Sequence, residues 1–354
     1  MKRIALAFLS ALAACATTAP RGAEASFDMR HQLAVNVPEG AKQVRIWFVE
    51  PQQWDREQRI SQFQVDCAHS WRRVKDSEGN SYIFVELANP KAGKVEVVNR
   101  CAVTRREVHV DADPAKTRPH TAAELKEMSK HLGPNTHIVI DDRIRALAAR
   151  ICGGEQNPVV KGRLIYDWVL GNVEYWVKDP DRLKASPVGS STYCLENATG
   201  NCTDFHSLYA AIARAANLPT RMVYGSFFKG PLNGVDQDQS YHCWIEFHAP
   251  GIGWVPLDVA VADIFVKDVT LNEKNEPKIR LTTADGYHGP DAAMVDYYFA
   301  NLEARRVTWS RGRDLSLDPR QAGGPVNMMA KAYVEIDGKP SSDYERKLTF
   351  TDVK

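Results

Sequence analysis

The sequence lacks a charge excess of either sign, and it lacks internal repeats and low-complexity tracts. Lysine and arginine total 45 residues against 44 aspartates and glutamates, which leaves a formal net charge of +1. Nucleic-acid-binding proteins normally carry a clustered basic excess, so no nucleic-acid partner is expected. The 354 residues are 44% hydrophobic and 25% charged, which is typical of a globular protein of two domains.

The sequence also lacks an apolar run at its start that is long enough to span a bilayer. Lys2 and Arg3 precede the short apolar stretch 4–14, which is the pattern of a secretory leader. Leu12-Ala13-Ala14-Cys15 resembles a bacterial lipoprotein box, which implies cleavage before Cys15 and acylation of its thiol. The alternative is ordinary cleavage after Ala25. Residues 1–27 are therefore expected to be leader and tether, and the mature protein to be periplasmic and lipid-anchored to the outer membrane.

The stretch Gly200–His206 places a cysteine at the start of a predicted helix. Apolar residues recur at three- and four-residue steps from Phe205 onward, and the pattern ends near Asn217. Unpaired N–H groups and the positive end of the helix dipole at such a terminus favour thiolate over thiol. Cys202 is therefore a candidate nucleophile. A lone cysteine opening a helix is more often a small buried residue, so this position alone does not predict catalysis.

A β-hairpin is predicted after this helix. Residues 240–248 form an aromatic and apolar run, a Pro-Gly pair forms a turn, and residues 253–258 return. If the hairpin is centred near Pro250, His242 faces Asp258, with Cβ atoms roughly 4.5–5.5 Å apart. The carboxylate could then hold one imidazole nitrogen while the other faces a thiol. A single bulge would change this register.

These blocks together resemble the core of the transglutaminase-like superfamily, over roughly residues 120–320. The matching segments are Gly200–His206, His242–Glu246 and Gly253-Trp254, with Asp258 closing the set. The resemblance implies a papain-like triad: Cys202 as nucleophile, His242 as general base and then acid, and Asp258 as the orienting carboxylate. The superfamily includes transglutaminases, thiol proteases, peptide N-glycanases and members without catalysis, so the resemblance does not fix the reaction.

Acyl transfer also needs donors for the developing oxyanion. The backbone N–H of Cys202 is one candidate because of its place at a helix start. The resemblance implies a second donor from an upstream side chain. Tyr175, Trp176 and Tyr193 lie in the segment 173–199 that leads into the cysteine, and all three remain open.

The cysteines allow a prediction about disulfides, because export permits them. Of the seven cysteines, Cys15 would carry lipid and Cys202 must stay free to act. Cys243 follows the site histidine on its strand, so it is expected to point away from it into the core. The remaining four are predicted to pair as Cys67 with Cys101 and Cys152 with Cys194, although the sequence does not exclude a swapped pairing.

The predicted fold class is α+β, in two domains. Residues 28–115 show period-two alternation without a long helical period, which favours a β-sandwich. This part also resembles the N-terminal β-domain of some bacterial transglutaminase-like proteins. After a proline-containing link, residues 120–354 are expected to form the core, a helical part packed on an antiparallel sheet. The late strand-like runs 306–309, 331–336 and 348–350 are expected to complete that core sheet.

No metal and no cofactor are predicted. Asp236 and Asp238 lack the spacing of a calcium-binding loop. Cys202, His206 and His242 could supply the three ligands of a zinc site. An aspartate partner for the histidine fits a triad better, and His206 is expected to be a residue of the helix face.

The sequence therefore predicts an exported thiol enzyme that acts on amide bonds of peptides or proteins through a thioester on Cys202. Hydrolysis is favoured over amine transfer, because water is abundant and needs no second binding site. The alternatives are a protein cross-linking transglutaminase and a catalytically silent envelope module that keeps the cleft as a peptide groove. The sequence does not identify the substrate.

Overall fold

The computed structural model describes residues 22–265 and 289–353, so Cys15 and the leader up to residue 21 lie outside the described residues. Within the described part, no helix is both long and apolar enough to cross a membrane. The first strands are β1 (Glu24–Val37), β2 (Gln43–Val49), β3 (Gln58–Cys67), β4 (Trp71–Lys75), β5 (Ser81–Ala88), β6 (Gly93–Arg106) and β7 (Val108–His109).

The central part of the chain contains most of the helices. The helices are α1 (Ala122–Glu127), α2 (Asp142–Cys152), α3 (Pro158–Asn172), α4 (Ser191–Asn197), α5 (Cys202–Ala215), α6 (Val259–Ile264) and α7 (Ala292–Tyr297). The other strands are β8 (Glu174–Tyr175), β9 (Thr199–Gly200), β10 (Thr220–Phe227), β11 (Tyr241–Ala249), β12 (Gly253–Leu257), β13 (Asn301–Leu302), β14 (Arg306–Arg311), β15 (Ala332–Ile336), β16 (Lys339–Pro340) and β17 (Tyr344–Val353).

Two antiparallel sheets form the N-terminal β-structure. Their strand orders are β17-β1-β6-β3 and β16-β15-β2-β5-β4. Alternate residues of both sheets, such as Leu33 and Val97 from one and Phe48 and Val85 from the other, share one buried cluster. Strand alternation puts one set of side chains on the inner face of each sheet, which is how a β-sandwich buries its core. The predicted α+β class, with β-sheets first and a helical core after them, is confirmed.

The last strands correct the predicted sheet order. Strand β14 does join the core sheet, where it pairs with β10. Strand β15 instead pairs with β2, and β17 pairs with β1 over ten residue pairs. The expectation that 331–336 and 348–350 complete the core sheet is therefore wrong. Period-two alternation identifies a strand but carries no information on which distant strand it will pair with.

Polar side chains cap the N-termini of two helices in the core. The side chain of Asp141 accepts the N–H of Ile144 at 3.0 Å, and that of Asn157 accepts the N–H of Val159 at 3.0 Å. These side chains satisfy backbone donors that the first helical turn leaves open. Helix α5 is buried along nearly its whole length. It lies against a four-stranded antiparallel sheet of order β12-β11-β10-β14.

The predicted disulfides are not formed, because every cysteine of the described residues is a free thiol. Cys67 faces Val97 across β3 and β6, four positions from Cys101. Four strand residues span about 13 Å, which is too far for a disulfide.

The second predicted pair, Cys152 and Cys194, is also wrong. Cys152 is the last residue of α2 and Cys194 lies within α4, and both are buried free thiols.

Two glycines of α3 provide a matched test of this packing. A Cβ atom on Gly162 would lie 2.9 Å from the ring of Phe247, whereas a Cβ on Gly171 would meet nothing within 4 Å. We expect Gly162→Ala to lower the free energy of unfolding by about 1–3 kcal/mol, because the ring is packed in the core. Gly171→Ala should raise it by about 0.4–1 kcal/mol, because alanine loses less backbone entropy. Urea unfolding at constant m value measures both, and equal effects would contradict the packing described here.

Candidate active site

Cys202 is the first residue of α5, as predicted. The Asn201 side chain accepts the N–H groups of Thr203 and Asp204, and the Asp204 carboxylate accepts the N–H of Asn201 at 2.9 Å. The same carboxylate accepts the N–H groups of Ser186 at 3.1 Å and Ser190 at 2.7 Å. Asp204 therefore ties the preceding loop to the helix start and fixes the position of the cysteine.

The hairpin brings a histidine to this cysteine, but in a different register from the predicted one. His248 faces Trp254 and Glu246 faces Pro256, so the turn is centred on Gly251 and not on Pro250. Gly251 adopts φ +88°, a left-handed conformation that favours glycine. In this register β12 ends at Leu257, and Asp258 is not a cross-strand partner of His242.

Asp258 reaches the histidine from a helix cap instead of a strand. It is the N-cap residue of α6, and its Oδ1 accepts the N–H of Val261 at 2.9 Å. Its backbone N–H donates to the carbonyl of Tyr298 at 2.9 Å. Its Oδ2 lies 2.6 Å from Nε2 of His242. The predicted pairing of His242 with Asp258 is therefore present, although the predicted route to it was wrong.

Cys202, His242 and Asp258 lie together in one buried cluster. The His242 ring interacts with the Cys202 thiol, and each group shifts the pKa of the other. Because Asp258 engages Nε2, Nδ1 is the ring nitrogen left for the sulfur. An aspartate that accepts from one nitrogen fixes the tautomer in which the other nitrogen can take a proton from a thiol.

The cluster favours a thiolate and an imidazolium. The pKa of Cys202 is well below its usual range, because a hydrogen bond from Cys243 and the charge of His242 outweigh the effect of burial. Burial by itself would lower the pKa of His242, but Asp258 and Cys202 raise it to about 9. Although burial opposes ionisation of Asp258, His242 and Arg306 hold the pKa of that carboxyl well below its usual range. The pair is thus ionised at neutral pH.

Arg306 on β14 is a residue of this site that the sequence analysis missed. Its guanidinium is fully buried and donates to Oδ2 of Asp258 and to both oxygens of Glu303, at 2.9 and 3.0 Å. It also lies 5.2 Å from the ring centroid of Phe227 and 5.4 Å from that of Trp244. Arg306 thus balances the charge of Asp258 inside the protein. The sequence feature that could have indicated this role is a charged residue, Arg306, at the start of a strand-like run that contains Val307 and Trp309.

The structure distinguishes among the groups that were considered as oxyanion donors. The hydroxyl of Tyr175 accepts the backbone N–H of Cys202 at 3.2 Å, so two of the candidate donors contact each other. Trp176 is half-buried and packs against the core, and Tyr193 is half-buried on α4. Tyr175 is therefore the side chain among the three candidates that contacts the nucleophile position.

Cys243 is buried, as expected, but it lies at the site. Its sulfur is 3.5 Å from the hydroxyl of Thr203 and 3.5 Å from Nδ1 of His206. His206 is fully buried, on the face of α5 that lies against β11. The helical pattern placed His206 on α5, but it could not show that β11 covers that face.

A layer of side chains encloses the reactive sulfur. Only 3% of Cys202 and 8% of His242 are exposed. The hydroxyl of Tyr241 lies 2.8 Å from that of Thr203 and 3.4 Å from Sδ of Met328. Tyr241 thus connects Thr203, the neighbour of Cys202, to Met328.

The residues weighed as metal ligands have other partners. In residues 22–265 and 289–353, no group of three or more His, Cys, Asp or Glu side chains is arranged to hold a metal ion. Asp238 instead forms ion pairs with Lys331 and Arg346, each at 3.0 Å. Oδ1 of Asp236 accepts the N–H of Leu348 at 3.1 Å. Both aspartates thus fasten the loop before β11 to the C-terminal strands.

Comparisons with known proteins agree with the fold. Residues 145–259 match the transglutaminase-like superfamily and include Cys202, His242 and Asp258. The chain is 28% identical over 250 residues to an uncharacterized protein of Haemophilus influenzae, covering 65% of this chain and 63% of that protein. The chain thus spans less than two thirds of the length of that relative.

Solved structures show the same fold. A candidate cysteine protease from Cytophaga hutchinsonii superposes with a TM-score of 0.53 at 18% identity, covering 94% of this chain and 99% of that one. The periplasmic domain of TgpA from Pseudomonas aeruginosa covers 67% of this chain and 90% of that one at 16% identity. Its TM-score of 0.33 is too low to support an argument about this chain. Residues 145–259 therefore form a transglutaminase-like superfamily domain.

The ionised pair predicts the pH dependence of alkylation at Cys202. Because the pKa of Cys202 is depressed, its rate with iodoacetamide should be at a plateau by pH 7 and should fall only in acid. Asp258→Asn removes the carboxylate that raises the pKa of His242, so the pair should become neutral at pH 7 and the rate should drop roughly tenfold or more. The rates are measured by mass spectrometry of the Cys202 peptide. A wild-type midpoint of ~8.5, the value of a free thiol, would contradict the ion pair.

Proposed function

We propose that this protein is a thiol enzyme that hydrolyses amide bonds in peptides or proteins. The observation that carries the proposal is the placement of His242 between the Cys202 sulfur and an Asp258 carboxylate that lies 2.6 Å from its Nε2. A thiolate, an imidazolium that can give up a proton, and a buried carboxylate are the three parts that acyl transfer needs.

The proposed reaction has two stages. The Cys202 thiolate attacks the carbonyl carbon of the amide, and His242 donates its proton to the leaving nitrogen as the C–N bond breaks. This leaves a thioester on Cys202 and a neutral imidazole. His242 then accepts a proton from water, whose oxygen attacks the thioester, and the carboxylic acid leaves as the thiolate and the imidazolium are restored.

Two donors are available for the oxyanion of each tetrahedral intermediate. The N–H of Cys202 already meets the hydroxyl of Tyr175, so a substrate oxygen entering there would contact both groups. Preorganised donors of this kind stabilise charge that develops in the transition state. We assign Tyr175 as the side-chain donor in preference to Trp176 and Tyr193, since only Tyr175 of the three candidates contacts Cys202 in the described structure.

Hydrolysis is favoured over transfer to an amine. A transglutaminase must bind an amine and keep water from the thioester, which needs a second site. A purely binding role is the second candidate function, and the observation that favours it is the low exposure of Cys202, of which only 3% is accessible to solvent. A closed cleft fits a protein that opens only for a specific partner.

Export and lipid attachment at Cys15 are part of the proposal. The supporting observation is the sequence around Cys15, which ends a short apolar run after Lys2 and Arg3. We expect the wild-type protein in a bacterial host to fractionate with the outer membrane, and Cys15→Ala to remove the lipid. Mass spectrometry of the mature N-terminus checks this. An unmodified N-terminus at Ser26 would support ordinary cleavage after Ala25 and contradict lipid attachment.

Turnover should depend on the three site residues as a unit. With a mixture of envelope peptides and proteins as substrate, Cys202→Ala and His242→Ala should both fall to background, while Asp258→Asn should keep a small residual rate. Products are identified by mass spectrometry with and without a primary amine, which separates cleavage, deamidation and cross-linking.

The matched control for this experiment is His248→Ala. His248 lies on the same strand as His242, but outside the site. Its activity should equal that of the wild type. Turnover retained by Cys202→Ala would overturn the enzyme assignment. Saturable peptide binding without any product, in the wild type and in Cys202→Ala alike, would favour the binding role.

A further inference from the structure

A second thiol lies beside the proposed nucleophile, and the proposed mechanism gives it no task. The hydroxyl of Thr203 is 3.9 Å from the sulfur of Cys202 and 3.5 Å from that of Cys243. The two thiols also interact electrostatically, since Cys243 lowers the pKa of Cys202 and Cys202 raises that of Cys243. Helix α5 and strand β11 bring them together across the main packing interface of the core.

The second thiol has its own imidazole. Nδ1 of His206 lies 3.5 Å from the sulfur of Cys243, and Nε2 of His206 lies 3.5 Å from Oδ1 of Asp258. With the proton on Nε2, facing the carboxylate, Nδ1 is a free acceptor for the Cys243 thiol. Burial lowers the pKa of His206 to about 4, so the ring is neutral at pH 7. Burial and the Cys202 thiolate raise the pKa of the Cys243 thiol, so its proton moves to His206 only as the sulfur forms a new bond.

Asp258 lies beside both imidazoles, but Nε2 of His206 has no hydrogen-bond partner within the described residues. Oδ2 meets His242, the partner of Cys202, and Oδ1 faces His206, the partner of Cys243. A buried cysteine is commonly a small apolar filler. A filler does not need an imidazole nitrogen 3.5 Å from its sulfur, and it does not need to share the Thr203 hydroxyl with the low-pKa thiol of Cys202.

We propose that Cys243 is a resolving cysteine, which converts an oxidised Cys202 into a reversible Cys202–Cys243 disulfide. The co-reactant is a peroxide, of which hydrogen peroxide is the smallest. The inference rests on the proposed function only in taking Cys202 as a reactive thiolate.

The chemistry balances in two steps. The Cys202 thiolate attacks one oxygen of hydrogen peroxide, the O–O bond breaks, and hydroxide leaves and takes up a proton as water, giving a sulfenic acid. The Cys243 sulfur then attacks the sulfenyl sulfur while its proton passes to His206, and the S–O bond breaks. The hydroxide released takes the proton back from His206 and leaves as water. Two thiols are oxidised by two electrons, and one peroxide is reduced to two waters.

Cys243 thereby protects the nucleophile. A sulfenic acid without a neighbouring thiol proceeds to the sulfinic and sulfonic acids, which thiol reductants do not reverse. The disulfide stops this progression, and a dithiol reductant restores both sulfurs. Such an adjacent resolving thiol is a feature of redox-sensitive cysteines.

The test treats the full chain with a few equivalents of hydrogen peroxide and then blocks free thiols with N-ethylmaleimide. Digestion after Glu196 separates the Cys194 and Cys202 peptides before mass spectrometry. In the wild type we expect a linked Cys202–Cys243 peptide, and we expect dithiothreitol to restore the labelling of Cys202 by iodoacetamide. In Cys243→Ala, Cys202 should reach the sulfinic and sulfonic acids, and dithiothreitol should restore none of its labelling.

Two further variants complete the test. Cys194→Ala removes another buried free thiol, on α4, and it should behave as the wild type. His206→Gln should slow disulfide formation while the sulfenic acid, trapped with dimedone, accumulates. Thermal unfolding confirms that each variant is folded, and Cys243→Val replaces Cys243→Ala if the alanine variant is not.

The readout is covalent, so it does not depend on turnover. A wild type that hydrolyses amides but forms no linked peptide, and whose Cys202 is over-oxidised as fast as in Cys243→Ala, would overturn the resolving role alone. A linked peptide in a protein without hydrolysis would leave the resolving role standing and would count against the proposed function.

Discussion

The arrangement depends on one buried carboxylate. Asp258 is fully buried, and removing an ionised carboxylate from water costs several kcal/mol unless partners compensate for it. His242 and Arg306 meet Oδ2, and the N–H of Val261 meets Oδ1. Each partner comes from a different element, β11, β14 and α6. The charge that orients the histidine therefore also holds the helix and the sheet together around the thiol.

The C-terminal strands connect the β-sandwich to the loop that precedes His242. Strand β17 completes a sheet of the sandwich, and the backbone N–H of Gln237 donates to the carbonyl of Leu348 on that strand. Asp238 adds ion pairs to Lys331 and Arg346. The loop that leads into His242 is thus attached to the sandwich by a hydrogen bond and ion pairs. This anchoring limits how far the histidine can move when the cleft opens.

Local patterns predicted most of the elements and the three central residues. Helix caps such as Asn157 and the cysteine at the start of α5 are local features, because their hydrogen bonds join residues two or three positions apart. Features that depend on how the chain folds beyond these local patterns were not predicted correctly. The turn centre moved by one residue because Gly251 takes a left-handed conformation, and Asp258 acts from a helix cap and not from a strand.

The roles of Arg306, His206 and Cys243 depend on which strand covers which helix face. No periodicity in the sequence contains that information. The disulfide prediction failed for the same reason, since spacing along the chain does not show that Cys67 and Cys101 lie four positions out of register.

The most direct measurement is a nitrogen NMR titration of protein labelled with ¹⁵N-histidine, with signals assigned by comparison with His242→Gln and His206→Gln. The account predicts that His242 is an imidazolium at pH 7 and loses its proton near pH 9, while His206 is neutral with its proton on Nε2. A neutral His242 at pH 7 would contradict the central claim that Asp258 maintains a thiolate–imidazolium pair.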